Sequence, residues 1–214
     1  MFNTKQIPLN TSPARMPVAA LAPAQTMTLK PMLDITFLTA LQKAGIVLLG
    51  TVLLCLAAKA QVPFGIVKVS LQTTTIMLLS IFMGHRMALA TVMLYLFEGA
   101  MGLPVFQGTP ERGIGLVYMM GPTAGYLIGF LMAAVVPSVV LSKIKSQTFI
   151  KVFAMLILTD FFAIQLIGGA YLSTFIGVQA TVALTLSWAV PTVIKAIAGA
   201  SILSLARTYI KKAA

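Results

Sequence analysis

The chain has 214 residues, of which 59% are hydrophobic and only 9% are charged. This is too little polar surface to cover a soluble globule, and several apolar runs are long enough to cross a bilayer, so the composition predicts a polytopic membrane protein. The net charge of +11 would suggest nucleic-acid binding in a soluble protein, but the basic residues cluster at the ends of the apolar runs, where membrane topology explains them. Nucleic acid is therefore not an expected partner. The single cysteine, Cys55, excludes an intrachain disulfide and a Cys-based metal site.

Residues 1–31 differ in composition from the rest of the chain. They contain five prolines, three basic residues and no acidic residue, and they lack the continuous apolar core of a signal peptide. We predict a disordered cytoplasmic tail, and a passive tail is favoured over a docking segment for a partner.

Residues 32–214 predict one all-α domain, a compact bundle of six transmembrane helices. The predicted spans, in chain order, are 33–58, 69–84, 87–105, 114–142, one beginning near Val152, and 189–210. Pro63 and Gly65 mark the first connection, and His85-Arg86 marks a tight turn. Gly177 predicts a break before a short apolar stretch, residues 181–188.

A glycine-rich loop joins the third and fourth predicted spans. Gly108, Pro110, Gly113 and Gly115 favour a compact, ordered turn, and Gly121-Pro122 disturbs the start of the next helix. The backbone groups freed there need partners, and a substrate is one possibility. The alternative, which the spacing favours, is a kink followed by tight helix packing at Gly121, Gly125 and Gly129.

The basic residues also predict the orientation. If the amino terminus is cytoplasmic, ten basic residues lie inside and only three, Lys59, Lys68 and Arg112, lie outside. Both termini are therefore expected in the cytoplasm, with the glycine-rich loop outside.

Three ionisable residues lie within the predicted spans, where a charge is costly and normally faces the bundle interior. They are Glu98, Asp160 and Lys195, and helix rise places them in one band, about 10 to 17 Å below the outer surface. Gln72 and Tyr118 lie above this band, so several helices could contribute to one outward-opening cavity. Two alternatives stay open: an Asp–Lys pair that only locks two helices together, and a buried Glu98 carboxyl without a ligand.

The sequence contains no catalytic signature. His85 is the only histidine and lies at a predicted turn, and there is no nucleophile elbow, Walker motif or HExxH motif. We expect no enzyme activity, no metal and no cofactor. Without a P-loop, active transport would need a partner ATPase or an ion gradient.

Four segments together resemble the BioY family, the biotin-specific substrate-binding subunits of energy-coupling factor (ECF) transporters. They are SLQT from Ser70, GLPVF from Gly102, GTPERGIGL from Gly108 and GPTAGYLIGF from Gly121. The resemblance implies a six-helix protein of the bacterial inner membrane that captures biotin from outside. Its implied partners are a membrane coupling subunit and a pair of ATP-binding cassette ATPases. Members commonly carry Gly-Asp before the lysine of the last helix, whereas this chain has Pro191-Thr192 before Lys195.

The chemistry of biotin then suggests the candidate substrate-binding residues. Its ureido ring offers two N–H donors and one carbonyl acceptor, its bicycle is apolar and its carboxylate is anionic. The candidates are Gln72, Glu98, Phe106, Tyr118, Tyr126, Asp160 and Lys195. Asp160 or Glu98 could accept the ureido N–H groups, Gln72 could bind either edge, and the three aromatic residues could form the walls. Lys195 could neutralise either the biotin carboxylate or Asp160, and Asp160 could replace the acid missing at Thr192.

The first helix carries the candidate partner-docking residues. Ala40 and Ala44 are four residues apart, which lets another helix approach closely, and the resemblance implies contact with the coupling subunit. Packing inside the bundle is the alternative. Two other functions stay open at this point: a secondary transporter for another small anionic solute, and a structural membrane subunit that binds nothing.

Overall fold

The computed structural model describes residues 38–64, 67–107, 115–144 and 147–213. The predicted tail, residues 1–31, lies outside this part of the chain. So do residues 108–114 of the glycine-rich loop, including Glu111 and Arg112.

The described part is mostly helical, as predicted, with one β hairpin. Its elements are α1 (Ala40–Lys59), β1 (Gln61–Phe64), β2 (Val67–Ser70), α2 (Gln72–Met83), α3 (His85–Ala100), α4 (Leu116–Met119), α5 (Ala124–Lys143), α6 (Phe149–Thr159), a π-helical segment (Asp160–Leu166), α7 (Ile167–Ile176), α8 (Val178–Ser187) and α9 (Ala189–Ala213). The π-helical segment joins α6 and α7 into one apolar helix, Phe149–Ile176.

The hairpin corrects the all-α prediction, which has only a connection between the first two spans. β1 and β2 pair antiparallel, with Gln61 opposite Ser70 and Phe64 opposite Val67. Alternating valines in VKV favour a strand, and the pairing satisfies backbone groups that a bare loop would leave to water. The hairpin leads directly into α2.

The membrane-spanning prediction is supported for four helices and stays a prediction for two. Among the described residues, α1, α5, the helix Phe149–Ile176 and α9 are long and apolar enough to cross a membrane. α2 and α3 have 12 and 16 residues, which give about 18 and 24 Å of rise against a hydrocarbon core of about 30 Å. α2 is short because the hairpin takes up residues 61–70 before it. α3 ends at Ala100, although the predicted span continues to residue 105.

Glycines set two of the helix boundaries. Gly84 separates α2 from α3 with a φ of 80°, and Gly177 separates α7 from α8 with a φ of 82°. Such positive φ values favour glycine over residues with a Cβ. The tight turn therefore centres on Gly84, one residue before the predicted position, and His85 begins α3. The break predicted at Gly177 is present.

The packing alternative for the GPTAGYLIGF segment agrees with the structure. Residues 120–123 separate α4 from α5, so Gly121-Pro122 does break the helix. A Cβ at Gly125 would lie 2.5 Å from the Cβ of Tyr171, and one at Gly129 would collide with the carbonyl oxygen of Ala163. These two glycines therefore let α5 lie directly against the π-helical segment and α7.

The core is an apolar layer in which α2 packs against α1, α3, α5 and α9. Leu54, Ile76, Val92, Leu156 and Leu203 are at most 2% exposed. Large apolar side chains on the outer faces are exposed, for example Leu49 on α1 and Phe97 on α3. This distribution fits a bundle that is surrounded by lipid, whose tails are as apolar as these side chains.

Candidate functional site

Two polar clusters meet at the start of α2, where neighbouring residues point in different directions. Gln72 is 2% exposed and contacts α3, whereas Thr73 contacts α9. Successive residues of a helix are about 100° apart, so one turn can serve two neighbouring sites. The segment SLQT therefore joins the two clusters.

The aromatic cluster lies on the Gln72 side and consists of Tyr95, Phe106 and Tyr118. Gln72 Nε2 donates to Tyr95 Oη over 2.9 Å, and that hydroxyl donates to the carbonyl of Val105 over 2.9 Å. The rings of Tyr95 and Phe106 meet edge to face with centroids 5.4 Å apart. The rings of Phe106 and Tyr118 stack with centroids 4.9 Å apart. All three side chains are buried.

Contacts from two further positions hold the aromatic cluster in place. Gly99 lacks a Cβ where the Phe106 ring passes, and any Cβ there would collide with the ring. Lys59 Nζ donates to the carbonyl of Phe106 over 3.0 Å. Tyr118 belongs to α4, which begins at the far end of the glycine-rich loop. The stack of Phe106 on Tyr118 therefore joins the two ends of that loop.

The Asp160 cluster lies on the Thr73 side. Asp160 is 2% exposed, and its Oδ2 accepts from Thr192 Oγ1 at 3.2 Å and from Gln165 Nε2 at 3.4 Å. Lys195 Nζ lies 3.8 Å from Asp160 Oδ1 and donates to Thr73 Oγ1 over 2.8 Å. The charges of Asp160 and Lys195 offset one another, which lets both stay in the low-dielectric interior.

The π-helical segment explains why Asp160 and Gln165 meet. In a regular α-helix, residues five apart point in different directions, but the wider π turn brings positions i and i+5 together. The Gln165 amide then reaches the carboxylate of Asp160 from the same helix. Single π turns occur frequently at functional sites, so this segment marks the cluster as a candidate site.

A group of unpartnered polar atoms adjoins the Asp160 cluster and comprises atoms of Gln165, which belongs to that cluster, and of Tyr126 and Trp188. Tyr126 packs edge to face on Trp188 with centroids 5.8 Å apart, and Gly168 leaves room for the Tyr126 ring. Trp188 precedes Thr192 by one turn, and Gln165 precedes Gly168 by about one turn. Within the described residues, Tyr126 Oη, Gln165 Oε1 and Trp188 Nε1 are buried without a hydrogen-bond partner. Buried polar atoms are rarely left unpaired, so this group is suited to a polar ligand.

Glu98 lies in a different environment from the other two charged candidates. Its Oε1 is 3.1 Å from the hydroxyl of Thr51, which places it between α3 and α1. The structure therefore brings together Asp160 and Lys195, with Tyr126 nearby, and separately Gln72, Phe106 and Tyr118. Glu98 joins neither set through a described hydrogen bond or ion pair.

Four residues of the two clusters, and Trp188 beside them, were not candidates from the sequence. They are Thr73, Tyr95, Gln165, Trp188 and Thr192. Tyr95 was missed because it lies in an apolar span, one turn before Glu98, and resembles an ordinary core residue. Thr73 was missed because the neighbouring Gln72 is the more conspicuous polar residue. Gln165 could have been found, because a glutamine inside an apolar span five residues after Asp160 is itself unusual.

Comparison with known proteins assigns the family. The model of the BioY family matches residues 26–213. The chain belongs to the BioY family.

Curated relatives include biotin transporters of bacteria and an archaeon. The chain is 33% identical over 110 residues to biotin transporter BioY2 of Lactococcus lactis, an alignment that covers 51% of this chain and 59% of that protein. It is 28% identical over 156 residues to a probable biotin transporter BioY of Pyrococcus horikoshii, covering 72% and 90%. It is 37% identical over 104 residues to biotin transporter BioY of Thermotoga maritima, covering 49% and 58%. The alignments thus span less than two thirds of the Lactococcus and Thermotoga proteins.

A solved structure has the same fold. It is the crystal structure at 2.1 Å of the S-component for biotin from an ECF-type ABC transporter. The superposition has a TM-score of 0.69 at 22% sequence identity, and it covers 80% of this chain and 95% of that chain. The BioY-family chain is therefore an integral membrane protein with an S-component fold.

Proposed function

We propose that this chain captures biotin from the outer side of the bacterial inner membrane for import by an ECF transporter. The chain binds and hands over its substrate and carries out no chemistry. The observation that carries the proposal is the Asp160 cluster together with the three unpartnered buried atoms of Tyr126, Gln165 and Trp188, in a chain whose named relatives are biotin transporters.

The three unpartnered atoms, together with the Asp160 carboxylate, are complementary to the ureido ring of biotin. Asp160 and Gln165 Oε1 accept hydrogen bonds, as two ureido N–H groups require. Trp188 Nε1 and Tyr126 Oη donate, as the ureido carbonyl requires. The rings of these two residues add an apolar wall for the bicycle. Lys195 Nζ remains 3.8 Å from Asp160 Oδ1 and supplies the cation beside the substrate.

The position of Asp160 supports its role as the substitute for the missing acid of the last helix. Thr192 stands where the family commonly has aspartate, and its hydroxyl donates to Asp160 Oδ2 over 3.2 Å. A carboxylate from the π-helical segment thus lies within one hydrogen bond of that position. Lys195 therefore has a negative charge beside it, but this charge comes from Asp160 and not from an aspartate at position 192.

The aromatic cluster is proposed as the outer wall of the same site. Gln72 and Thr73 are adjacent in α2, so the two clusters are separated only by the first turn of that helix. Phe106, Tyr118 and Gln72 form an apolar surface with one amide, which suits the bicycle and valeryl chain of biotin. Glu98 stays a candidate of lower rank because its described hydrogen bond goes to Thr51.

The topology and partners complete the proposal. Six helices (α1, α2, α3, α5, the helix Phe149–Ile176 and α9) cross the membrane with both termini in the cytoplasm, as the distribution of basic residues favours. The site then opens outward. Import requires a coupling subunit and a pair of ATPases, and Ala40 and Ala44 are exposed on α1, where such a subunit could dock.

Equilibrium binding of radiolabelled biotin to the purified full chain, without ATP and without an ion gradient, tests the proposal. A capture subunit binds biotin tightly under these conditions, and unlabelled biotin competes. A structural subunit binds none, and an ion-coupled secondary transporter binds only with its driving ion. Absence of saturable binding to a protein that elutes as a single folded species overturns the proposal.

A further inference from the structure

A groove on the outside of the bundle is lined by residues that belong to neither polar cluster. It has a volume of about 440 Å³ and runs between α5 on one side and α6 with the π-helical segment on the other. Its floor includes Met155, Thr159 and Ala163, which are buried, and its rims include Leu158 and Phe162, which are exposed. The Thr159 hydroxyl is turned to the sulfur of Met155 at 3.7 Å, so this polar group is not directed at an occupant.

The groove exists because the two helices are close at one end and separate toward the other. Gly125 and Gly129 hold α5 directly against α7 and the π-helical segment. Toward the other end, Val140 and Ile144 of the α5 side face Lys151 and Ala154 of α6 across the groove. No glycine follows Gly129 in α5 and none occurs in α6, so the close approach does not continue and a wedge opens between the helices.

The open end of the groove is positively charged. Lys151 lines it and is exposed, and Lys143 ends α5 beside it. The whole chain has only four acidic residues. Two of them, Glu98 and Asp160, are described. Glu98 contacts Thr51, and Asp160 contacts Thr192 and Lys195. Within the described residues, then, no carboxylate neutralises these two lysines.

We propose that this groove binds one acyl chain of an anionic phospholipid, with the lipid phosphate on Lys151. From Lys151 to Phe162 the helix rises about 16 Å, close to half of a hydrocarbon core of about 30 Å and so to the depth of one leaflet. An apolar groove with a cation at the leaflet boundary matches a lipid that has an apolar tail and a negative headgroup. In the proposed topology this end faces the cytoplasm, where anionic lipids attract basic residues. The inference does not depend on biotin.

Native mass spectrometry of the detergent-solubilised full chain tests the proposal with two lipids of identical acyl chains, phosphatidylglycerol and phosphatidylcholine. The expected result is preferential retention of one phosphatidylglycerol. Lys151→Gln lowers its apparent affinity about fivefold, the effect of one basic residue near an anionic headgroup. Arg86→Gln removes the same charge from the exposed start of α3, outside the groove, and leaves the affinity unchanged.

A second pair of variants tests the position of the acyl chain. Ala154→Trp fills the groove and lowers retention of phosphatidylglycerol, whereas Ala90→Trp places the same ring on the exposed surface of α3 and does not. Size-exclusion chromatography and the thermal midpoint establish that each variant is folded. Equal retention of the two lipids, or equal effects of Lys151→Gln and Arg86→Gln, overturns the proposal. The proposal is also overturned if the chain forms a homodimer, or a complex with the coupling subunit, and only Ala154→Trp disrupts it. The groove is then a protein interface.

Discussion

At the scale of single residues, the Asp160–Lys195 pair offers the sharpest test of the site. Lys195→Met is expected to lower biotin affinity at least about tenfold, or 1.4 kcal/mol, because it removes a cation beside the substrate. The protein should still fold, because the hydroxyl of Thr192 and the amide of Gln165 continue to bind the Asp160 carboxylate. Titration with labelled biotin and the elution profile of the same sample measure both effects.

Asp160→Asn is the companion variant and should also weaken binding. If the two groups interact directly through the ion pair at 3.8 Å, the double variant loses less affinity than the sum of the two single losses. Wild-type affinity in both single variants would leave the pair as a helix-locking contact and move the site toward Gln72 and Glu98.

Trp188 tests the donor side of the ureido model. Trp188→Phe keeps an aromatic ring against Tyr126 but removes the buried Nε1–H donor, which has no partner within the described residues. Loss of one neutral hydrogen bond costs about 0.5 to 1.5 kcal/mol, so we expect roughly two- to tenfold weaker binding with unchanged stability. Trp188→Ala serves as the comparison, since it removes ring and donor together and should weaken binding further. A variant Trp188→Phe that gains thermal stability without losing affinity would mean that the N–H is merely unsatisfied.

The sequence predicts some site residues better than others because depth and charge are visible in it and side-chain direction is not. Asp160 and Lys195 are conspicuous as charges in apolar spans, and helix rise alone places them at similar depths. Whether Glu98 joins them depends on the rotation of α3, which the sequence does not specify. The same is true of Tyr95, whose hydroxyl becomes significant only when Gln72 and the carbonyl of Val105 are seen beside it.

At the scale of elements, the glycine-rich loop is expected to close over bound biotin. Its two ends are fixed by the stack of Phe106 on Tyr118, and Gly115 takes a φ of 67° where α4 begins. A loop anchored in this way can fold over the aromatic wall without moving the helices, as active-site loops do elsewhere. Biotin should therefore slow hydrogen exchange in residues 107–115. The first turn of α1, residues 40–43, provides the internal control, and unchanged exchange in the loop would indicate a static connector.

The sequence predicts element boundaries correctly where glycine determines them. It does not predict the elements that depend on contacts with another segment. Gly177 and Gly121-Pro122 end helices because of their backbone properties, which the sequence reveals directly. The hairpin of β1 and β2 and the π turn at Asp160 depend on partners that only folding supplies. An alternating VKV is too short to predict a strand, and a π turn has no sequence signature comparable to a proline or a glycine.

At the scale of the whole molecule, the exposed face of α1 is the proposed contact with the coupling subunit. Ala40 and Ala44 lie on it together with Leu48, which is 53% exposed, at the i, i+4 spacing that lines up one face of a helix. A capping box between Thr39 and Gln42 fixes the start of this helix, so the two alanines are presented on a rigid turn. A helix of the coupling subunit can approach α1 closely at these small side chains, whereas a lipid tail makes no specific contact with them.

Replacing both Ala40 and Ala44 by Trp should abolish co-purification with the coupling subunit and the ATPases while leaving biotin affinity unchanged. The matched control replaces Ala90 and Ala198, exposed alanines of α3 and α9, by Trp. Both double variants add the same bulk and aromatic surface, but only the first blocks close approach to α1, so only the first should lose the partners. If both variants lose them, the added rings act nonspecifically, and if neither does, α1 faces lipid and the coupling subunit docks on another face. Because the substituted side chains are exposed and lie outside both polar clusters, a parallel fall in biotin affinity would show that α1 supports the site itself.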